Sequence, residues 1–213
     1  MCVLLDVDGT LLRGPSAERL FLRYLSVHGQ IGSRQWASAM TFCLRWWPVY
    51  GRHVFKKNKA YLAGLPAADI EACAERFVHD ILTRHLRPSV LQRLERHREA
   101  GEPIALLTGT PDFIARPLAC YVGAQACSAT ECAVCDGRFS SEPPSVHPFG
   151  VEKLARAQRL CEQVGWRLSD CVAYADSIQD LGLLRRVSRP VVVHPDRPLR
   201  ALAQKAGWEI IPR

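Results

Sequence analysis

Leu5-Asp6-Val7-Asp8-Gly9-Thr10-Leu11 decides how this 213-residue chain folds. Residues 2–7 form a short apolar run with β-branched members that stops at an Asp-Gly turn signal, so they read as a buried strand. Side chains two apart in an extended chain share a side, so Asp6 and Asp8 are expected to converge at the strand's carboxyl end if the extension persists. Two exposed acids placed this way repel each other and call for a cation. Mg2+ takes a few carboxylate oxygens together with water and phosphate, and it suits the pair. Gly9 permits a sharp turn, and Thr10 can cap the segment after it. A calcium loop is the weaker reading, because it needs further oxygen ligands and a closing Glu, whereas apolar Leu11 and Leu12 come next here.

Further buried strands are expected at 104–107, 172–175 and 191–194, each closed by a polar residue, Gly or Pro. Helical patterns mark about 90–100, 111–121, 151–164, 178–185 and 199–206. Strand-helix alternation implies an α/β fold, a parallel sheet with helices on both faces whose ligand site lies off the carboxyl ends of the strands. Residues 15–87 break this rhythm. They are helical and strand-poor, and read as a helical cap inserted after the first strand, which leaves 1–14 and 88–213 as the α/β core. Residues 131–139, with Asp136-Gly137 as the turn, suggest a small hairpin.

With 48% hydrophobic and 23% charged residues the composition is that of an ordinary globular protein, which excludes disordered, collagen-like and coiled-coil classes. The net charge of +7 is less informative than its location. Residues 19–68 contain no Asp or Glu, while Arg19, Arg23, Arg34, Arg45, Arg52, Lys56, Lys57 and Lys59 give the segment +8 and leave −1 for the remainder. The same segment carries Trp36, Trp46 and Trp47 with Phe42, Leu44 and Phe55. Cations mixed with amphipathic aromatics suit a lipid headgroup interface or an anionic amphiphile; the plainer reading is a solvated basic helix face. The most apolar stretch, residues 36–50, is interrupted by Arg45 and Pro48, so no membrane span is expected. The start of the chain has no basic n-region, so a cytoplasmic location is expected, with peripheral contact to an anionic membrane as its extension. Nine scattered cysteines read as reduced thiols rather than a disulfide framework. Cys132 and Cys135, with Cys127 and His147 nearby, have the form of a zinc knuckle but lack a second close pair.

The ends of the other expected strands carry the remaining chemistry. Thr108-Gly109-Thr110 places a hydroxyl and a permissive backbone just before a helix start at Pro111, a suitable place for phosphate oxygens. Lys153 opens a helix, where a cation is disfavoured by the macrodipole and so invites a functional explanation. Asp176-Ser177-Ile178-Gln179-Asp180 brings two more acids to the mouth of the same sheet. Singly, each has a structural reading: Thr108 a turn, Lys153 a surface lysine, Asp176 a helix N-cap.

Taken in order, Asp6-Val7-Asp8-Gly9-Thr10, Thr108, Lys153 and Asp176 to Asp180 resemble the four signatures of the haloacid dehalogenase superfamily, and the resemblance runs over nearly the whole chain. The helical insertion is similar to the cap of its phosphoserine phosphatase-like branch, and phosphatidylglycerophosphatase C-like proteins share the cap-length class. The resemblance implies a Rossmann-like core. It implies Asp6 as a nucleophile attacking phosphorus, with Asp8 protonating the leaving alkoxide and then deprotonating the attacking water. It implies Mg2+ held by Asp6, the Asp8 backbone carbonyl and Asp176, with Thr108, the Gly109 amide and Lys153 gripping phosphoryl oxygens and Asp180 orienting Lys153 or a water on the metal. Pro15 stands where phosphoserine phosphatases are expected to carry a substrate-binding Glu, so the amine-recognising part of that site is expected to be absent.

The resemblance and the residues together point to a Mg2+-dependent phosphatase of phosphate monoesters working through an aspartyl phosphate. The acid-free, Trp-bearing segment lies in the lobe that selects substrate, which points to a phospholipid-type phosphate. The alternative substrate is a soluble amino-acid or amino-alcohol phosphate, such as phosphoserine or histidinol phosphate. A non-catalytic basic module that binds membrane or nucleic acid is the rival from another class. The complete set Asp6, Asp8, Thr108, Lys153 and Asp176 argues against it, and no nucleic-acid partner is expected.

Overall fold

In the computed structural model, which describes residues 1–212, six parallel strands form one sheet in the order β3-β2-β1-β6-β7-β8. The strands are β1 (Cys2–Leu5), β2 (Ile104–Pro111), β3 (Ala126–Thr130), β6 (Cys171–Ala175), β7 (Arg189–Val193) and β8 (Glu209–Ile211). A two-stranded antiparallel hairpin, β4 (Val134–Cys135) with β5 (Arg138–Phe139), turns at Asp136-Gly137 as expected. The helices are α1 (Ala17–Val27), α2 (Ser33–Tyr50), α3 (Val54–Lys57), α4 (Ala67–Asp80), α5 (Pro88–Glu99), α6 (Asp112–Tyr121), α7 (Val151–Val164), α8 (Leu181–Leu184) and α9 (Arg197–Ala206). No helix is long and apolar enough to cross a membrane among the described residues.

The period of two along each strand sorts the core into two layers. Val3 and Leu5 of β1, Ile104 and Leu106 of β2, and Val172 and Tyr174 of β6 pack on one face with α1, α4, α5 and α6. Cys2, Leu4, Ala105, Leu107, Cys171 and Ala173 face the other way, against α7, α8 and α9. Both faces are covered, and the central strands are therefore near-continuous apolar runs. In the helical segment after β1, Phe21 of α1 and Phe77 of α4 belong to the first layer, whereas α2 and α3 keep a small cluster of their own around Phe42, Val54 and Ala60. Phe21 is fully buried, with ring centroids 5.1 Å from Phe77 and 5.6 Å from Phe113, so it ties the segment to α6. Phe21→Ala is expected to destabilise the protein by about 3–5 kcal/mol, read as a lowered urea midpoint at unchanged slope.

Several boundaries differ from expectation. The first strand ends at Leu5 rather than at residue 7, because Leu12 N–H bonds the Val7 carbonyl and closes a turn. β2 continues to Pro111, with its pairing register shifting between Leu107 and Pro111. The helix expected over 178–185 divides into a single 3-10 turn and the four-residue α8. Strands β3 and β8 have weak local signals: Ala-Cys-Ser-Ala-Thr has little β-branched content, and β8 is only three residues long.

The strand order reverses direction at β1. The chain builds outward through β2 and β3 on one side, then returns to add β6, β7 and β8 on the other. Ligands of such sheets bind off the carboxyl ends at this switch point, between β1 and β6. Asp6 follows β1 and Asp176 follows β6.

Candidate active site

Leu5 pairs with Tyr174 across the parallel ladder, and Asp6 N–H donates to the Tyr174 carbonyl at 3.1 Å, so the first residue past β1 is held against the end of β6. The buried Asp6 carboxylate has a partner for each oxygen. Lys153 Nζ donates to Oδ1 at 2.6 Å, and the Thr10 hydroxyl donates to Oδ2 at 3.1 Å. Lys153 Nζ also donates to Asp180 Oδ2 at 2.8 Å. The lysine sits in the first turn of α7 and is only 4% exposed, which rules out a solvated surface role.

Asp176 completes the group. One ligand oxygen each from Asp6, Asp176 and Asp180 lies within 4.8 Å of the others, and among the described residues this is the only such gathering of metal-capable side chains. Three carboxylates share one ammonium. Burial and the neighbouring Asp6 and Asp180 charges push the Asp176 carboxyl up to about 7. Burial raises the Asp6 and Asp180 carboxyls too, opposed in each by Lys153. For Lys153 burial favours the neutral form, but Asp6 and Asp180 outweigh it and the pKa is raised.

A hard divalent cation fits this donor set, because it answers the uncompensated negative charge with oxygen ligands alone. Gly9 belongs to the same fit. Its φ is +85°, and a Cβ there would stand 2.0 Å from Asp176 Oδ2, so only glycine lets the loop after β1 close on this carboxylate. Asp196 holds the loop after β6. Its N–H donates to the Asp176 carbonyl at 2.8 Å, and its Oδ2 accepts from Ile178 N–H at 2.9 Å and the Ser177 hydroxyl at 3.1 Å.

Asp176→Asn tests the charge balance. A carboxyl raised from about 4 to about 7 binds more protons folded than unfolded in that window, so wild-type stability in chelator falls as pH rises through it. The amide does not titrate. The variant is expected to be more stable than wild type by on the order of 2 kcal/mol above pH 7 in chelator, with the difference vanishing below pH 4. Mg2+ is expected to raise the melting temperature of wild type but not of the variant.

Asp8 is placed differently from the expectation of two exposed acids converging. Because the strand ends at Leu5, the two carboxylates turn to different partners, and Asp6 is buried. Asp8 Oδ1 accepts from Ala17 N–H at 2.7 Å, at the start of α1, and Oδ2 accepts from the Thr110 hydroxyl at 3.1 Å. The Asp8 side chain thus lies outside the three-carboxylate group. Burial raises its carboxyl, while the two hydrogen bonds hold the rise back.

Thr108 is buried within β2, three residues before its end at Pro111. Its hydroxyl accepts from Thr110 N–H and donates to Thr110 Oγ1, both at 3.0 Å, so a hydroxyl chain runs from Thr108 through Thr110 to Asp8. Gly109 is fixed from behind, where the Thr130 hydroxyl donates to its carbonyl at 2.7 Å. With that proton used, His147 Nδ1, 2.9 Å away, must donate to Thr130 Oγ1. Burial, then Lys59, Lys57 and Lys56, lower His147 to about 3 and keep the ring neutral, with Nε2 buried and unpartnered. Cys127, Cys132, Cys135 and His147 form no metal-capable group among the described residues.

Sequence reasoning brought out Asp6, Asp8, Thr108, Gly109, Lys153, Asp176 and Asp180, considered His147 only for a zinc knuckle, and gave no site role to Thr110, Thr130, Asp196 and Glu18. Glu18 lies three residues beyond Pro15. Its carboxylate accepts from Lys59 Nζ at 2.6 and 2.7 Å and from the Tyr61 hydroxyl at 2.8 Å. The acid nearest the expected amine-binding position is therefore satisfied by the chain itself.

Residues 3–185 match the family described as haloacid dehalogenase-like hydrolase. A Mycobacterium tuberculosis (strain ATCC 25618 / H37Rv) protein named "Probable phosphatase" is 30% identical over 149 residues, covering 70% of this chain and 52% of that protein, so the chain spans about half that relative's length. A phosphoserine phosphatase of the same organism is 28% identical over 213 residues, covering 96% of this chain and 68% of its own. A histidinol-phosphatase of Neisseria meningitidis serogroup C (strain 8013) is 28% identical over 160 residues, covering 72% of each. Among solved structures, a protein of unknown function from Bordetella pertussis Tohama I superposes with a TM-score of 0.83 at 26% identity, covering 99% of this chain and 97% of that one. With its signature residues gathered at the switch point of the sheet, the chain belongs to the haloacid dehalogenase-like hydrolase family.

Proposed function

We propose that the chain is a divalent-cation-dependent phosphomonoesterase in which Asp6 is the nucleophile and Asp8 the general acid and base. The observation that carries this reading is the meeting of Asp6, Lys153, Asp176 and Asp180 between β1 and β6, with Asp8 and Thr108 joined alongside through Thr110. An Asp6 oxygen attacks phosphorus and the bond from phosphorus to the alcohol oxygen breaks, while Asp8 gives its proton to that oxygen. Asp8 then takes a proton from the water that attacks the aspartyl phosphate at phosphorus, which frees phosphate and restores Asp6. Burial favours the protonated Asp8 needed first, and the Ala17 N–H and Thr110 hydroxyl stabilise the ionised Asp8 needed second. Lys153, Thr108 and the Gly109 amide hold the phosphoryl oxygens, and Asp180 positions Lys153. Asp6, Asp176 and the Asp8 carbonyl would hold Mg2+, which would supply charge neutralisation at the phosphoryl group. Residues 15–87 serve as a cap over this site, with 1–14 and 88–213 as the catalytic core.

The substrate is a small phosphate monoester. The names of two relatives support a soluble amino-acid or amino-alcohol phosphate, phosphoserine or histidinol phosphate, over the lipid reading. A phospholipid-type phosphate is the second reading, favoured by the exposed aromatics of α2 in an acid-free segment. Turnover of p-nitrophenyl phosphate, phosphoserine, histidinol phosphate and lysophosphatidate, each with Mg2+ and with chelator, tests both. Mg2+-dependent hydrolysis of at least one is expected. Inertness toward every monoester with any divalent cation sinks the assignment, and selective hydrolysis of the acylated phosphate reverses the order of the two substrates.

A further inference from the structure

Helix α2 has two apolar faces, and only one is covered. Phe42 and Trp46 pack inward with Val54 and Ala60. On the outside, Trp36 is 47% exposed, Met40 68%, Leu44 79% and Trp47 51%. Their spacing of four, four and three confines them to a stripe about 80° wide on the helix. Phe55 of α3, 66% exposed, extends it, with its ring 6.0 Å from that of Trp47 and edge-on to it. Five large apolar side chains side by side in water are more than the scattered exposure of an ordinary surface.

The surroundings of the stripe are cationic. Arg52, in the turn after α2, and Lys56, next to Phe55 in α3, are exposed, whereas Arg34 and Arg45 lie about 80–100° further round α2, Arg45 over the inward Trp46 ring; no acid occurs from residue 19 to 68. Arg45 reaches one acid from elsewhere, Glu142, at 3.0 Å on the surface. Indole rings at both ends of an apolar stripe with cations beside it match the boundary of a bilayer, where tryptophan settles at headgroup depth and Lys or Arg pairs with anionic lipid. A second copy fits poorly, because a two-fold contact would set the same cationic rim against itself.

We infer that α2 and α3 lie flat on an anionic lipid bilayer, inserting Trp36, Met40, Leu44, Trp47 and Phe55 into its interface. The docked face borders the site: Lys56 Nζ lies 3.4 Å over the Phe149 ring, four residues before Lys153. A phosphate monoester embedded in that bilayer would be presented there, a consequence that rests on the phosphatase reading, whereas the docking does not.

The test is co-sedimentation of the purified protein with vesicles of phosphatidylglycerol and phosphatidylcholine, or of phosphatidylcholine alone, at low and high salt. Binding to the anionic vesicles, weakened by salt, is expected. The double variant Leu44→Glu/Trp47→Glu is expected to bind them about tenfold or more weakly while its turnover of p-nitrophenyl phosphate is unchanged. Three results overturn the inference: no binding to anionic vesicles at low salt, equal binding by the double variant, or a stable dimer in solution that the double variant dissolves. Vesicle binding is read without turnover, so a protein that binds but hydrolyses nothing sinks the phosphatase reading alone, and one that hydrolyses but does not bind sinks the docking alone.

Discussion

Asp6→Asn is expected to lower kcat toward p-nitrophenyl phosphate by about 10^4-fold or more while leaving the fold intact. The amide has the shape of the carboxylate but cannot form an acyl phosphate, so the loss lies in the chemical step rather than in binding. Circular dichroism and the retained Lys153 to Asp180 contact provide the control, because that second bond to the lysine does not involve Asp6. Turnover within tenfold of wild type would show that another group attacks phosphorus. Asp8→Asn separates the two acids, since it leaves Asp6, the proposed nucleophile, in place and is expected to reduce the rate most for substrates with poor leaving groups. Nitrophenolate needs little protonation, so the p-nitrophenyl phosphate rate falls less than that of an alkyl phosphate.

Lys153→Met is expected to damage both activity and stability. The ammonium lies between Asp6 and Asp180 at 2.6 and 2.8 Å and is buried with them. Removing one side of a buried ionic group leaves the rest uncompensated, and such changes destabilise by about 3–5 kcal/mol. Without the lysine, both carboxyls lose what opposes their burial, so they rise further and bind protons more readily in the folded state than unfolded. The variant's deficit therefore grows as pH increases, because ionising the two acids is then uphill only in the folded protein. Urea titrations in chelator at pH 5 and pH 8 are expected to show a deficit that is smaller at pH 5. Activity with Mg2+ is expected to fall by about 10^2-fold to 10^3-fold, the loss of one preorganised charge on the phosphoryl oxygens. A pH-independent deficit, or none, would mean that Lys153 does not compensate these acids.

Much of the site was legible because its residues stand at local landmarks. Asp6 comes after an apolar run and precedes an Asp-Gly turn, Thr108 stands near the end of another run, and Asp176 ends a third. Lys153 was conspicuous because it opens a helix, where its charge has no local reason. Thr110, Thr130, Glu18 and Asp196 were not legible, since each acts through a partner distant in the chain. Thr110 meets Asp8 across 102 positions, and Glu18 meets Lys59 across 41. No periodicity or motif records such pairings. The apolar stripe on α2 was half visible: its residues stood out by composition, but which of them face water depends on where α3 packs.

The linear order of residues determined by itself most of the alternation of strand and helix, the motifs toward the carboxyl ends of β1, β2 and β6, and the separation of an acid-free segment from the rest. These features arise from local polarity and turn chemistry, which need no distant partner. Only the tertiary structure decided which carboxylates gather. Parallel pairing of β1 with β6 sets Asp6 beside Asp176, α7 brings Lys153 over them, and the start of α1 with Thr110 draws the Asp8 side chain to different partners. The reason is that a buried charge is stable only with its partners in place, and here those partners come from strands and helices up to 147 positions apart.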